Sequence, residues 1–479
     1  MADARDQVAM QEISARMQHG DFAGARAICE NFLRSISEAS RQAPVRTWLG
    51  LIEQRSGSLP AALAQYELAR KADRRNPQLT LQLGITHFEL GQWDKAEPLY
   101  REAIRMEPRL PLAHYNLGVL LQQKRDFPAA ARAFQAALVH QPRFPEALNN
   151  LANTLTELGD LTGAESCYRQ AIVFHPGFSY AHHGLGLLHL KQGRYVDALS
   201  SLQAATHYNP DFLDGWLDLA ECQAQSGNLD AAKLSIEAVI ARDPQHAAAR
   251  FRRAMYAGEQ PESIPTQFVE RLYAGMSATF DEHLVERLGY QIPSQLANAL
   301  KPWLDRFAAL HQQKPRVIDL GCGTGLFGVQ IRAAAAHLVG VDLSQAMLDK
   351  ARARGVYDDL VVSDLGAFLQ SNTDIADLIS ATDVLIYIGN LGPLFSAASA
   401  RLATGSMFAF STETPDGLND GLRLQSIGRY AHSVIYIEKL ATANGFKISA
   451  RIATVIRTEN AQPVKGFLFL LEKAELGAA

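Results

Sequence analysis

Three glycines at alternate positions, Gly321, Gly323 and Gly325, follow an aspartate placed two residues before the first of them. Glycine at these places lets a backbone turn sharply from strand to helix and pass close under a ligand, because no Cβ stands in the way. Asp319 sits just before the loop, where a carboxylate helps bind a positively charged amino-acid end, directly or through water. Asp342 ends the next strand-like run and can accept both hydroxyls of a ribose. Asp364 ends the third and can accept the exocyclic amine of an adenine.

The elements that must position these residues read as strand–loop–helix units from Pro315 onward. Strands are expected at 316–320, 337–341, 360–362, 384–388 and 407–411, with helices between them, then two more at 446–457 and 464–472. Alternation of this kind implies a parallel, doubly wound sheet that binds its ligand at the C-terminal strand ends. Gly323-Thr-Gly-Leu-Phe-Gly328 also satisfies the GxGxxG pattern of NAD-binding turns, which keeps NAD as an alternative. Three features favour S-adenosylmethionine. An acid precedes the loop, where a dinucleotide's pyrophosphate would meet a carboxylate. A second acid follows the third strand, and a strand pair follows the last long helix, residues 433–444. The expected cofactor contacts are Asp319, Gly321, Cys322, Gly323, Gly325, Asp342, Leu343, Met347, Asp364 and Leu365, with no metal.

Methyl transfer from a sulfonium uses an already activated reagent, so alignment in a dry site supplies much of the rate. A base is needed only where the acceptor carries a proton. His432, Tyr387 and Tyr436 are the candidate catalytic residues, His432 because its ordinary pKa lies near neutrality. The alternative for His432 is a residue at a helix N-terminus making local hydrogen bonds; for Tyr387 and Asn390 it is the wall of the cofactor pocket. Glu413 lies near the same strand edge. Arg429 and Tyr430 are candidate acceptor contacts, Arg429 by pairing with an acceptor carboxylate or with a neighbouring acid. Residues 266–310 read as helical, and Tyr273, Phe280 and His283 are placed to fold over the cofactor as a lid while also packing on the sheet.

The N-terminal half is repetitive. Pro108, Pro142, Pro176, Pro210 and Pro244 recur at steps of 34, as do Gly50, Gly84, Gly118, Ala152, Gly186 and Ala220, and the series from Ala62 to Ala232. That period and those residue types match the tetratricopeptide (TPR) unit of two antiparallel helices. Small residues belong where helices cross closely. Gly57, Gly91, Gly159, Gly193 and Gly227 belong at the turn within each pair, and the prolines after the second helix. Seven pairs are expected, starting near residues 5, 43, 77, 111, 145, 179 and 213, with a capping helix at 246–257. Such arrays bind partners on the inner face. By register that face carries Tyr115, Asn116, Asn149, Asn150, Asn153, Tyr180, His183, Trp216, Asp218 and Glu221. Asn116 and Asn150 resemble the asparagine ladder with which the TPR domain of O-linked N-acetylglucosamine transferase grips peptide backbone, although Gly184 and Asp218 break the series.

At 479 residues two or more domains are expected. With 47% hydrophobic and 20% charged residues and a formal net charge of −4, the chain gives no support for non-specific nucleic-acid binding. No apolar stretch reaches the length of a membrane span, the N-terminus has no signal-peptide pattern, and the four cysteines show no metal-binding spacing. A cytoplasmic protein with reduced thiols fits these facts. The Pro-containing segment 258–265 marks the join. The expected domains are a TPR domain at 1–258, a linker and helical lid at 259–310, and the α/β domain at 311–479.

The segment Val317-Ile-Asp-Leu-Gly-Cys-Gly-Thr-Gly325 resembles motif I of class I methyltransferases. With Phe280-Asp-Glu-His-Leu284, Leu288-Gly-Tyr290, Tyr387-Ile-Gly389 and Gly428-Arg-Tyr-Ala-His-Ser433, the chain resembles the bacterial TPR-containing predicted methyltransferases. The resemblance implies an all-α TPR solenoid followed by an α/β Rossmann-like domain with a seven-stranded sheet, using S-adenosyl-L-methionine. The expected acceptor is a protein or peptide held on the concave TPR face. A small-molecule methyltransferase whose array serves self-association or docking is the alternative, and a scaffold with a degenerate domain a third. DNA methylation is disfavoured, because Tyr387-Ile-Gly-Asn-Leu replaces an Asn/Asp-Pro-Pro-Tyr/Phe element.

Overall fold

A computed structural model of the chain describes residues 2–36, 38–261, 263–265, 269, 289–371, 373–425, 428–459 and 462–475. It divides into two compact units, residues 1–228 and 229–479. The described part of the first unit holds thirteen helices, from α1 (Ala2–Gln18) to α13 (Leu213–Gln225). The first helices of successive pairs begin at Ala2, Ala39, Pro77, Pro111, Pro145, Ser179 and Leu213, in steps of 34 residues from Pro77 onward.

Sterics explain the small-residue register. A Cβ built on Gly50, Gly84 or Gly118 would lie 2.5, 2.6 or 2.7 Å from a ring carbon of Tyr66, Tyr100 or Phe134, far inside van der Waals contact. The turn glycines Gly57, Gly91, Gly159, Gly193 and Gly227 all have φ between +71° and +84°. At the one turn where glycine is missing, Arg125 adopts φ +61°. Asp21, Asp126 and Asp160 cap the following helices, each accepting the N–H three residues on. A further periodic device lies after the prolines: the ring N–H of His114, His182 and Trp216 donates to the carbonyl of Pro108, Pro176 and Pro210 at 2.8–2.9 Å. Trp216, expected on the inner face, therefore spends its indole N–H closing a loop.

The second unit opens with α14 (Leu229–Arg242) and α15 (Ala247–Ala257). His246 caps α15, and Gly258 ends it at φ +77°. After α16 (Ile292–His311) comes a seven-stranded sheet of order β3-β2-β1-β4-β5-β9-β8. Its strands are β1 (Arg316–Leu320), β2 (His337–Asp342), β3 (Asp359–Val362), β4 (Ala376–Ala381), β5 (Leu402–Glu413), β8 (Phe446–Glu459) and β9 (Gln462–Lys473). The first five pair in parallel; β9 joins β5 antiparallel and β8 forms the edge. Both faces are covered, so strand residues alternate between two cores. Phe408 and Phe410 pack with Phe395 and Phe446 on one side, while Met407 and Ala409 pack with Trp303 and Phe327 on the other.

One expected strand is corrected. The apolar run 384–388 is not the fourth strand; residues Leu385–Tyr387 form a 3₁₀ turn, and β4 lies upstream at Ala376–Ala381. Asp377 stands inside β4, where its carboxylate accepts the N–H of Arg316 at 2.8 Å and so disguises a strand as a polar stretch. A short hairpin, β6 (Leu422–Leu424) with β7 (Tyr430–His432), completes the unit.

Candidate functional site

The chain runs from β1 outward to β2 and β3, then returns to β4 and β5 on the other side of β1. The crevice for a ligand in such a sheet opens where that order reverses, at the C-terminal ends of β1 and β4. The glycine loop leaves β1 there. Gly321, Gly323 and Gly325 have φ of +65°, +53° and +91°, values that side-chain-bearing residues rarely adopt. A Cβ on Gly321 would lie 2.4 Å from Val384 Cγ2, whereas one on Gly323 would meet nothing within 4 Å. The loop is thus pressed against the turn after β4 on one side and open at its middle, the cradle that a closely approaching ligand requires.

The acids are placed unequally. Asp342 accepts the N–H of Gly323 at 2.9 Å and of Ser344 at 2.8 Å, which ties the end of β2 to the loop; burial pushes its carboxyl up against these bonds. Each carboxylate oxygen can accept more than one hydrogen bond, so Asp342 can still take ribose hydroxyls. Asp364 is exposed and caps the helix Leu365–Ser371 through the N–H of Ala367, at 2.9 Å. Asp319 is fully buried behind the loop. It accepts from Tyr357 Oη at 2.7 Å and Ser380 Oγ at 2.9 Å, and desolvation pushes its carboxyl up to about 7. Tyr357 fits there because Gly328 and Gly340 are bare: a Cβ on either would come within 3 Å of its side chain. Its phenol is raised well above the ordinary range by burial beside Asp319. Nothing in the polar stretch around Tyr357 marks this role in sequence. Cys322 is buried, its N–H held by the Val341 carbonyl at 3.0 Å and its thiol raised by burial. Met347 and Leu365 are buried, and Leu343 is half-buried beside Asp342.

On the acceptor side, His432 is fully buried. Its Nε2 faces the carbonyls of Ile388 at 2.9 Å and Gly389 at 3.1 Å, its ring stacks on Tyr436, and burial lowers its pKa to about 4. A ring whose Nε2–H is spent on two carbonyls is neutral at pH 7 and serves to hold the turn after β4. Its buried Nδ1 has no hydrogen-bond partner. Tyr436 Oη accepts the N–H of Leu391 at 3.0 Å, so it braces the same turn. Tyr387 is half-buried, and its carbonyl accepts the N–H of Ile264 at 3.1 Å. Tyr430 donates to the Pro261 carbonyl, and Gln260 accepts the N–H of Leu424. Ser263 bridges to Ile388, and Phe251 of α15 packs with Ile264, Leu424 and Tyr430. The join therefore lies as a strap across both segments expected to face the acceptor. Tyr273, Phe280 and His283 lie outside the described residues.

Two charged residues not anticipated from sequence complete this end. Asp383, the second residue after β4, has φ +54°, and both its carboxylate oxygens lie 2.9 Å from Arg457 Nη1. Arg457, on β8, is 2% exposed and also pairs with Glu413. Gln425 donates to Glu413 at 2.8 Å, and Arg429 stands 3.9 Å from it. Arg429 is thus placed beside a neighbouring acid. Among the described residues no cluster suits a metal ion, and no helix is long and apolar enough to cross a membrane.

On the helical unit, Asn116 donates to its own helix at the Leu112 carbonyl, 2.7 Å away, and Asn150 to Tyr115 Oη at 3.1 Å. His183 pairs with Asp218 at 2.7 Å. The amides of the expected ladder therefore have internal partners that a peptide would have to displace.

Family models agree with this geometry. One for a methyltransferase domain matches residues 292–448, and three for tetratricopeptide repeats match 86–125, 118–177 and 189–255. The chain is 29% identical over 114 residues to a ubiquinone biosynthesis O-methyltransferase of Aromatoleum aromaticum, covering 23% of this chain and 48% of that one. It is 33% identical over 102 residues to a trans-aconitate 2-methyltransferase of Paracidovorax citrulli, covering 21% and 38%. The chain thus spans half or less of the length of these relatives. Among solved structures, a tetratricopeptide repeat protein from Parabacteroides merdae aligns at 17% identity and a TM-score of 0.43, over 53% of this chain and 98% of that one. The chain is a TPR-repeat protein that carries a methyltransferase domain in its C-terminal half.

Proposed function

We propose that the chain is an S-adenosylmethionine-dependent methyltransferase acting on a protein or peptide recruited by its TPR array. The observation that carries the cofactor assignment is the open glycine cradle at the β1–β4 switch point, with Asp342 bonded to it and Asp319 behind it. When bound, S-adenosylmethionine supplies a methyl group already activated on a sulfonium. The chain's residues then bind and orient. Gly321, Gly323 and Gly325 let the backbone approach, Asp342 accepts ribose hydroxyls, Asp364 faces the adenine amine, and Asp319 offsets the charge of the amino-acid end. His432 and Tyr436 hold the turn after β4 in place, while Tyr387 and Tyr430 fix the strap. Residues 1–258 act as the recruiting domain and 311–479 as the catalytic one, joined by 259–310.

Support for a macromolecular acceptor comes from the length of the helical array. A second reading, a small-molecule methyltransferase whose array docks a partner or a second copy, is favoured by the likeness to a ubiquinone biosynthesis O-methyltransferase and a trans-aconitate 2-methyltransferase. Purified protein incubated with methyl-labelled S-adenosylmethionine and cell lysate separates the two. The first reading predicts label in protein bands, and label only in the small-molecule fraction supports the second.

A further inference from the structure

We infer that Asp383 accepts the acceptor's proton, and that the methylated group is therefore a hydroxyl or amine and not a carboxylate. The inference rests on the methyltransferase reading above. Asp383 is the second residue after β4, at the switch point of the sheet, and its neighbour Val384 is the side chain that a Cβ on Gly321 would strike. The glycine loop and Asp383 thus share one end of the crevice.

The surroundings of Asp383 are built and specific. Residue 383 keeps a left-handed backbone without being glycine, at φ +54°, and its N–H donates to Ser411 Oγ on β5 at 2.8 Å. Arg457 reaches across from β8 and holds both carboxylate oxygens through one nitrogen. That arrangement orients the carboxylate yet leaves each oxygen a further lone pair. Glu413, the other acid on Arg457, is 2% exposed and has Gln425 on its second oxygen, whereas the Asp383 side chain is 15% exposed. Of the two carboxylates, only Asp383 is open to an incoming group. Burial pushes its carboxyl up to about 6, with Arg457 pulling down, Glu413 pushing up and Arg429 pulling down. Buried Tyr290 stands beside it as well. A carboxylate so placed is ionised at neutral pH yet more basic than an ordinary aspartate, as a general base should be. His432, the obvious base by residue type, is sealed in and has its Nε2 on two carbonyls.

The step balances without a further reagent. The acceptor's lone pair forms a bond to the methyl carbon, the carbon–sulfur bond breaks with its electron pair left on a neutral thioether, and the acceptor's proton passes to Asp383 and on to solvent. An acceptor that is already an anion, such as a carboxylate, needs no such group.

The test uses the full chain. Asp383→Asn keeps the shape and tolerates a left-handed backbone. It should bind S-adenosylhomocysteine within about twofold of the parent, while methyl transfer to lysate acceptors falls by about 10²-fold or more, the usual contribution of a general base. Independently of any variant, label transferred by the parent protein should survive mild base, because methyl ethers and methylamines do and methyl esters release volatile methanol. Transfer by Asp383→Asn within about threefold of the parent, or base-labile label from the parent, would overturn the role of Asp383 and leave the methyltransferase reading standing. A parent chain that binds no S-adenosylhomocysteine would remove both.

Discussion

Burial of Asp319 makes cofactor affinity depend on pH in a calculable way. The unfolded chain ionises this group near 3.8, whereas the fold holds it neutral to about 7. Because the folded pKa is raised, the stability contributed by the neutral carboxyl is full below about pH 4 and is lost as pH rises through 7. Three pK units correspond to about 4 kcal/mol over that window. A cationic amino-acid end bound near the loop reverses the preference, since it favours the ionised carboxylate. Binding must then release a proton at acid pH, and affinity must climb toward neutrality. With a free-state pKa of about 7, raising the pH from 6 to 7 should tighten S-adenosylhomocysteine about fivefold. Above about pH 8 the ligand's own amine begins to lose its proton and the gain stops. Titration calorimetry in buffers of different ionisation enthalpy measures both affinity and protons released. Tyr357→Phe removes the donor at 2.7 Å and should move the midpoint upward, while Asp319→Asn should abolish the slope. Equal affinity at pH 6 and 7 with no proton released would refute the coupling of Asp319 to the bound ligand.

Other outcomes follow from packing and charge. Gly118→Ala places a Cβ 2.7 Å from the Phe134 ring and should destabilise by about 1–3 kcal/mol, read as a lower denaturant midpoint. Arg125→Gly relieves a left-handed backbone at φ +61° and should stabilise by about 1 kcal/mol, seen as a higher midpoint with an unchanged slope. Arg457→Met leaves the buried Glu413 and the partly buried Asp383 without their cation and should cost about 3–5 kcal/mol at neutral pH, with a smaller loss in acid.

What sequence could show here depended on the range of the signal. The 34-residue step exposed the helical array because the small residues answer contacts with the bulky side chain 16 positions later, Gly50 with Tyr66, Gly84 with Tyr100 and Gly186 with Leu202. The glycine loop was legible because positive φ is written in residue type. The fourth strand was hidden by Asp377, a charge that serves the N–H of Arg316 across the sheet, and the apolar run beyond it proved to be a turn. Residue type made His432 look like a base; only the fold shows it buried, with its Nε2 facing two carbonyls. Asp383 and Arg457 lie 74 residues apart and meet only when β8 folds beside β9 at the sheet edge, so no local pattern announces them. Tyr357 was invisible for the same reason, being 38 residues from the aspartate it touches.

A methyltransferase requires the glycine cradle to be a site for S-adenosylmethionine and not for a dinucleotide. Equilibrium titration of the full chain with S-adenosylmethionine and, separately, with NAD tests this most directly. The predicted result is saturable binding of one S-adenosylmethionine per chain, weakened at least tenfold by Asp342→Ala, with no saturable binding of NAD; binding of NAD in its place, or of neither, would contradict it.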